Sequence, residues 1–255
     1  WLESERELII DMSQLTALIL AAGEGKRMKS DKAKVLHELC GKPMIDWVYE
    51  AAINAGVDRC VVIVGHKAEQ VIEHMGDKAE YVFQEQQLGT GHAVQQARNY
   101  FENGEGHIVV LCGDVPLITS NTVKKAIEYA KAGRYNAVVI SARVEDPSGY
   151  GRIVRNSRGD FLRIVEHRDA LEEEKLIDEI NSGLYVFSAK ELSEAINLLT
   201  NNNDQKEYYL TDTLEIMLSK GYKVGVWTVP DSDEILGVND RSQLEKVSVI
   251  MEKRI

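Results

Sequence analysis

Six short apolar runs, separated by stretches with helical spacing, constrain this sequence more than any other feature. They are LTALIL (15–20), RCVVIVG (59–65), AEYVFQ (79–84), HIVVLCG (107–113), NAVVISARV (136–144) and INSGLYVFS (180–188). Their length and β-branched content suit buried strands. Between them, PMIDWVYEAAINAG (43–56) opens with Pro43, fitted to a first helical turn, and closes at Gly56. KAEQVIEHMG (67–76), GHAVQQARNYF (91–101) and TSNTVKKAIEYAKAG (119–133) follow. In the last, Ser120 or Asn121 is placed to cap the start and Gly133 to stop the end. Strands alternating with helices predict βαβ units and an α/β fold with a mainly parallel sheet covered on both faces. Such sheets bind ligands outside the carboxyl ends of their strands.

After Ser148 the pattern changes. GYGRIVRNSRGDFLRIVEH (149–167) reads as two strands around a turn near Ser157 to Asp160, an inserted hairpin that builds a small second lobe. NNNDQKEYYLTD (201–212) is a polar loop running into a helix, and RSQLEKVSVIMEKRI (241–255) is a helical tail. The expected organisation is a domain over 12–240, with a first half to about 118, a second half from 119, and a C-terminal helix. Residues 1–11 lack the basic start and apolar core of a signal peptide, and Met12 follows them directly. They are expected to be a leader outside the fold.

A net charge of -11 argues against a nucleic-acid or anionic-membrane surface. No apolar run reaches the eighteen residues of a membrane span. Three scattered cysteines, Cys40, Cys60 and Cys112, point to a reducing, cytoplasmic setting and buried free thiols.

The first apolar run ends in AAGEGKRMKS (21–30). The dinucleotide fingerprint fails, because Met28 stands where its third glycine belongs. The ATP-type P-loop also fails: Leu20 holds its first glycine position and Arg27 follows Gly25-Lys26. What remains is a small-residue loop with Lys26, Arg27, Lys29, Lys32 and Lys34. Its free amides suit an anion nest, and Arg27 and Lys34 supply full charge; a solvated basic loop leaves the same trace. Four further clusters favour a ligand. In QEQQLGTGHA (84–93), the Gln84 amide offers one donor and one acceptor, the pattern of a pyrimidine edge, and Gly89-Thr90-Gly91 opens a helix. In CGDVPL (112–117), Asp114 lies just past a strand and suits Mg²⁺, although a turn residue leaves the same trace. SGYGRI (148–153) lets a sugar pack against backbone. Glu166, Asn181 and Asn239, in VEHRD, EINSG and GVNDR, are candidate partners of sugar groups and of a metal.

Taken in order, these motifs resemble the uridylyltransferase domain of bacterial bifunctional N-acetylglucosamine-1-phosphate uridyltransferase/glucosamine-1-phosphate acetyltransferase, over residues 15 to 245. The resemblance implies a Rossmann-like nucleotide-diphospho-sugar transferase fold. It implies UTP and N-acetylglucosamine 1-phosphate as substrates, with UDP-N-acetylglucosamine and pyrophosphate as products. By the same resemblance, Leu20, Ala21, Ala22, Gly23 and Gly113 hold the nucleotide, and Gln84, Gly89 and Thr90 read uracil. Arg27 and Lys34 hold phosphates, Asp114 and Asn239 hold Mg²⁺, and Gly151, Glu166 and Asn181 hold the sugar phosphate. Three departures stand out: Lys26 for a small hydroxyl residue, Ala33 for a proline, and GVNDR for GVNNR. No hexapeptide β-helix repeat occurs here, so acetyl transfer is not expected of these residues, and a trimer is expected only where such a domain is present. Two alternatives stay open: another sugar-1-phosphate nucleotidyltransferase, and a non-catalytic nucleotide-binding regulatory module.

Overall fold

The computed structural model describes residues 14–255. The expected leader, residues 1–11, lies outside the described residues. The apolar runs form strands β1 (Leu15–Ala21), β4 (Arg59–Val64), β5 (Glu80–Phe83), β6 (His107–Cys112), β7 (Ala137–Arg143) and β10 (Glu179–Ser188). The predicted helices are α1 (Met44–Asn54), α2 (Ala68–Met75), α3 (Thr90–Gln96) and α4 (Ser120–Gly133). The hairpin is β8 (Arg152–Arg155) and β9 (Phe161–Val165), and the tail is α7 (Arg241–Glu252). Elements not foreseen are the two-residue strands β2 (Glu38–Leu39) and β3 (Lys42–Pro43), helix α5 (Ala189–Ile196) and strand β11 (Val224–Thr228). Helix α6 (Asp212–Ser219) follows the polar loop as expected.

Among the described residues the main sheet runs β11-β7-β10-β6-β1-β4-β5, with the β8/β9 hairpin attached to β10. The pairs β1·β4, β1·β6, β4·β5 and β7·β11 are parallel, whereas β10 runs antiparallel to both β6 and β7. The predicted parallel sheet is therefore interrupted at its centre by a reversed strand. The reversal follows from the inserted hairpin, which turns the chain round so that it re-enters the sheet from the opposite end. One sheet runs through both halves of the chain.

Alternation along β1 shows the two-sided burial. Ala17, Ile19 and Ala21 join the core under α1, α2 and α4, while Leu18 joins the core under α3, α5 and α6. All four are at most 6% exposed. At about 25 cal/mol per Å² of apolar surface removed from water, such strands account for much of the folding free energy. A third cluster, Leu39, Met44, Leu117, Val238, Val247 and Met251, seats α7 against β2 and α1. The α4 cap differs from expectation: Thr119 is the N-cap, its hydroxyl accepting from Thr122 N at 3.2 Å. Gly133 is the last helical residue, and Arg134, with φ 51°, takes the left-handed position after it.

Candidate active site

Parallel register brings four strand ends to one edge. Leu20 pairs with Cys112, Ala21 with Val64, and Val64 with Phe83. The segments just beyond are tied together by backbone hydrogen bonds. Gly113 N donates to Leu20 O at 3.0 Å, His66 N to Ala22 O at 3.2 Å, and Gln84 N to Val64 O at 2.8 Å. A cavity of about 270 Å³ opens here, walled by Leu20 to Gly23, Lys34, Gln84, Gly89, Thr90 and Asp114. It lies where an α/β sheet binds ligands.

Lys34 begins a 3-10 turn, Lys34–Leu36, and its side chain reaches into this cavity. Its ammonium pairs with Asp114 Oδ2 and donates to Asn239 Oδ1 at 3.1 Å. Val238 N donates to Asp114 O at 2.8 Å, which fixes the Asn239 segment against the end of β6. Two hard oxygens thus face one cation. That donor set suits Mg²⁺, which takes one or two carboxylate-type ligands and completes its shell with water and phosphate oxygens.

The Gln84 amide is buried and oriented. Its Nε2 donates to Gly89 O at 3.0 Å and lies 3.1 Å from His92 Nδ1. Among the described residues no hydrogen bond occupies its Oε1, so an acceptor is left for a ligand N–H. Gly89 has φ 108°, and a Cβ there would lie 2.6 Å from Tyr208 O. The position admits only glycine because residues 207–210 pack directly on the LGTG loop. Gly91 N donates to Tyr208 O at 2.8 Å, Tyr208 N to Leu88 O at 2.8 Å, and Leu210 N to Thr90 Oγ1 at 3.1 Å.

Gly151, Glu166 and Asn181 meet on the hairpin lobe. A Cβ on Gly151 would lie 3.4 Å from Glu166 Oε2 and 3.5 Å from Asn181 Cβ. Asn181 N donates to Gly151 O at 2.9 Å, its Nδ2 donates to Tyr185 Oη at 2.8 Å, and its Oδ1 accepts from Gly183 N at 3.0 Å. The Cys112 thiol, which also lines the cavity, donates to Gly183 O at 3.4 Å and so joins this cluster to the first. Burial pushes the Glu166 carboxyl above its ordinary range, opposed by the Thr211 hydroxyl, which donates to Oε1 at 3.3 Å.

Next to Thr211, burial and then Glu215 push Asp212 up to about 6. A carboxyl raised in the folded state favours folding below its unfolded value, and that contribution is lost as pH rises through the folded value. Asp212→Asn is therefore expected to raise the melting temperature at pH 7.5 and to leave it unchanged below pH 4. Thermal melts across that range check this; an equal shift at both ends refutes it.

Two expected site residues are placed elsewhere. Arg27 is exposed on the turn Lys26–Met28 and does not line the cavity. Gly113 is buried beneath the rim, where a Cβ would lie 3.1 Å from Leu20 O and from Val35 Cγ1. Its role here is close packing between strand ends. Conversely, Gln87 and Glu207 line the cavity without having been singled out. The NNNDQKEYYLTD stretch was visible as a polar loop, but nothing in its spacing says that it covers a helix entry more than a hundred residues earlier. All three cysteines are free, but Cys40, expected to be buried, is exposed; burial pushes the Cys60 and Cys112 thiols up to about 12, so neither is a thiolate at neutral pH. Among the described residues no group of three His, Cys, Asp or Glu side chains is placed to hold a metal.

A mainly parallel sheet with a cavity at its strand ends and, on its rim, a lysine facing paired oxygens defines a nucleotide-handling α/β protein. The nucleotidyl transferase family profile matches residues 16–232, and the chain belongs to that family. Within it, the chain is 56% identical over 244 residues to the bifunctional protein GlmU of Acetivibrio thermocellus, covering 96% of this chain and 53% of that protein. It is 51% identical over 239 residues to the bifunctional protein GlmU of Clostridioides difficile, covering 94% and 52%. The chain thus spans about half the length of these relatives. A crystal structure from Bacillus anthracis, assigned as a glucose-1-phosphate thymidylyltransferase, superposes with a TM-score of 0.74 at 19% identity. It covers 92% of this chain and 94% of that one, and shows the shared fold. No helix among the described residues is long and apolar enough to cross a membrane.

Proposed function

We propose that this chain transfers uridylyl from UTP to N-acetylglucosamine 1-phosphate, giving UDP-N-acetylglucosamine and pyrophosphate for cell-wall precursor synthesis in the cytoplasm. The observation that carries the reading is the meeting of Lys34, Asp114 and Asn239 at the cavity rim, with the Gly151–Glu166–Asn181 cluster joined to it through Cys112 and Gly183. The sequence resemblance supplies the choice of substrates.

A phosphate monoester has a second pKa near ~6, so the sugar phosphate is largely dianionic at neutral pH and attacks the α-phosphorus without a general base. The one thiol among the described residues lining the cavity, Cys112, is held protonated by burial. Positioning and charge neutralisation then carry the reaction. In this reading, Leu20 to Gly23 line the nucleotide with backbone, and Gln84 Oε1 accepts the uracil N3–H. Gly89 and Thr90 close the base pocket, and Lys34 neutralises phosphate oxygens; Arg27, exposed on the neighbouring turn outside the cavity lining, would have to swing inward to add its charge. Gly151 leaves room for the sugar, and Glu166 and Asn181 orient its hydroxyl and amide groups. Mg²⁺ held by Asp114 and Asn239 would neutralise charge on the phosphates. The first half of the chain serves the nucleotide and the second half the sugar, with Asn239 returning to the first. Trimer formation belongs to proteins that also carry the β-helix domain.

Pyrophosphate release with UTP, N-acetylglucosamine 1-phosphate and Mg²⁺ tests this directly. Release is expected with that pair above other combinations of four nucleoside triphosphates and several sugar 1-phosphates. Nucleotide binding without release would instead identify a regulatory module, and a stronger response to another pair would reassign the substrates.

A further inference from the structure

The loop that carries Arg27 and Lys34 is held by side chains from elsewhere in the fold. Arg241 Nε donates to Met28 O at 3.3 Å, and Lys67 Nζ donates to Ser30 O at 2.9 Å. Gln70, on α2, uses both ends of its amide. Its Nε2 donates to Asp31 O at 3.0 Å, and its Oε1 accepts from Ala33 N at 2.8 Å. Ala33 is 3% exposed and directly precedes Lys34. Its backbone has φ -57° and ψ 139°, the polyproline-like conformation. An alanine has no ring to enforce that conformation. The Ala33 carbonyl in turn accepts from Leu36 N at 3.0 Å and starts the turn that launches the Lys34 side chain.

We propose that Gln70 is a positioning residue for Lys34. Its amide bridges Asp31 and Ala33 and holds the backbone in the conformation a proline would impose. It thereby sets where the Lys34 ammonium lies relative to Asp114 and Asn239. Gln70 does not line the cavity, so it acts through the loop and not on a ligand. Its reach is from the side of the sheet buried by α2, whose Val71 and Met75 are in the core. The bridge therefore ties a solvent-exposed loop to a rigid element. A small rotation at Ala33 would be magnified along the whole lysine side chain.

The geometry gives a test that incidental surface contact would not pass. Gln70→Ala removes the bridge, while Ala33→Pro enforces the same φ covalently and needs no partner on α2. Three variants are compared with wild type: Gln70→Ala, Ala33→Pro, and the two together. Hydrogen exchange of the peptide spanning residues 28–36 is followed alongside steady-state kinetics. In Gln70→Ala, exchange there is expected to accelerate on the order of ten-fold, from the loss of two hydrogen bonds. Its kcat is expected to fall roughly 10- to 100-fold, as misplacement of a charged group does. Adding Ala33→Pro to Gln70→Ala is expected to slow exchange again at the remaining amides and to restore kcat toward the wild-type value.

Unchanged exchange in Gln70→Ala overturns the proposal, as does a loss that Ala33→Pro fails to restore. The kinetic comparison rests on the uridylyl-transfer reading, whereas the exchange comparison does not. A wild-type chain inactive with UTP and N-acetylglucosamine 1-phosphate would remove that reading, and exchange would still decide the role of Gln70.

Discussion

Lys34→Ala is expected to lower pyrophosphate release about 10²- to 10³-fold, the cost of removing one preorganised charge contact from a developing anion. Lys34 is the one cation among the described residues lining the cavity, and its side chain is 14% exposed. At an effective dielectric constant near 20, unit charges about 4 Å apart interact by roughly 4 kcal/mol, which matches a loss of that size. The partners of its ammonium, Asp114 and Asn239, come from a strand end and from the segment before α7, so the lysine is held from two directions. Lys34→Met keeps most of the stem and separates loss of charge from loss of packing. Both variants are expected to keep the wild-type circular dichroism spectrum. Turnover near wild type in either would take Lys34 out of the mechanism.

Asp114→Asn is expected to raise the Mg²⁺ concentration for half-maximal rate by about ten-fold or more, given that even outer partners of a metal site change affinity 10- to 100-fold. Asp114 is placed by the end of β6 and by the Val238 N–H on its carbonyl, so the substitution changes the ligand and leaves the backbone as it is. A Mg²⁺ titration of pyrophosphate release at saturating UTP and sugar phosphate measures the midpoint. An unchanged midpoint would remove Asp114 from the metal assignment and leave it as the counter-ion of Lys34.

Much of this fold could be read in the sequence. The runs at 15–20, 59–65 and 107–113 became parallel neighbours because strands buried on both faces need continuous apolar side chains, a local property. The β8/β9 hairpin was legible from the turn residues near Ser157 to Asp160. Strand β11 was missed because VGVWT is short and carries a glycine, and such runs acquire strand identity only by pairing with β7. The Thr119 cap was missed by one residue, since Thr119, Ser120 and Asn121 are all competent caps and only the tertiary entry angle selects among them.

The candidate site divides in the same way. AAGEGKRMKS and GDVPL announce loops at strand ends, because small residues and a carboxylate directly after an apolar run break the strand pattern. Gly113 has the same sequence signature as its neighbours, yet it packs under the rim. Arg27 has the same signature as Lys34, yet it is exposed and does not line the cavity.

What the amino-acid sequence determined alone is an α/β sheet with a polar, glycine-rich rim, because strand and helix periodicity and turn chemistry act over a few residues. What only the tertiary structure decided is which groups share that rim. Lys34 and Asn239 are 205 residues apart, and residues 207–210 cover a loop near residue 90. Contacts of that span are set by strand order, register and the packing of α7, which no local spacing encodes.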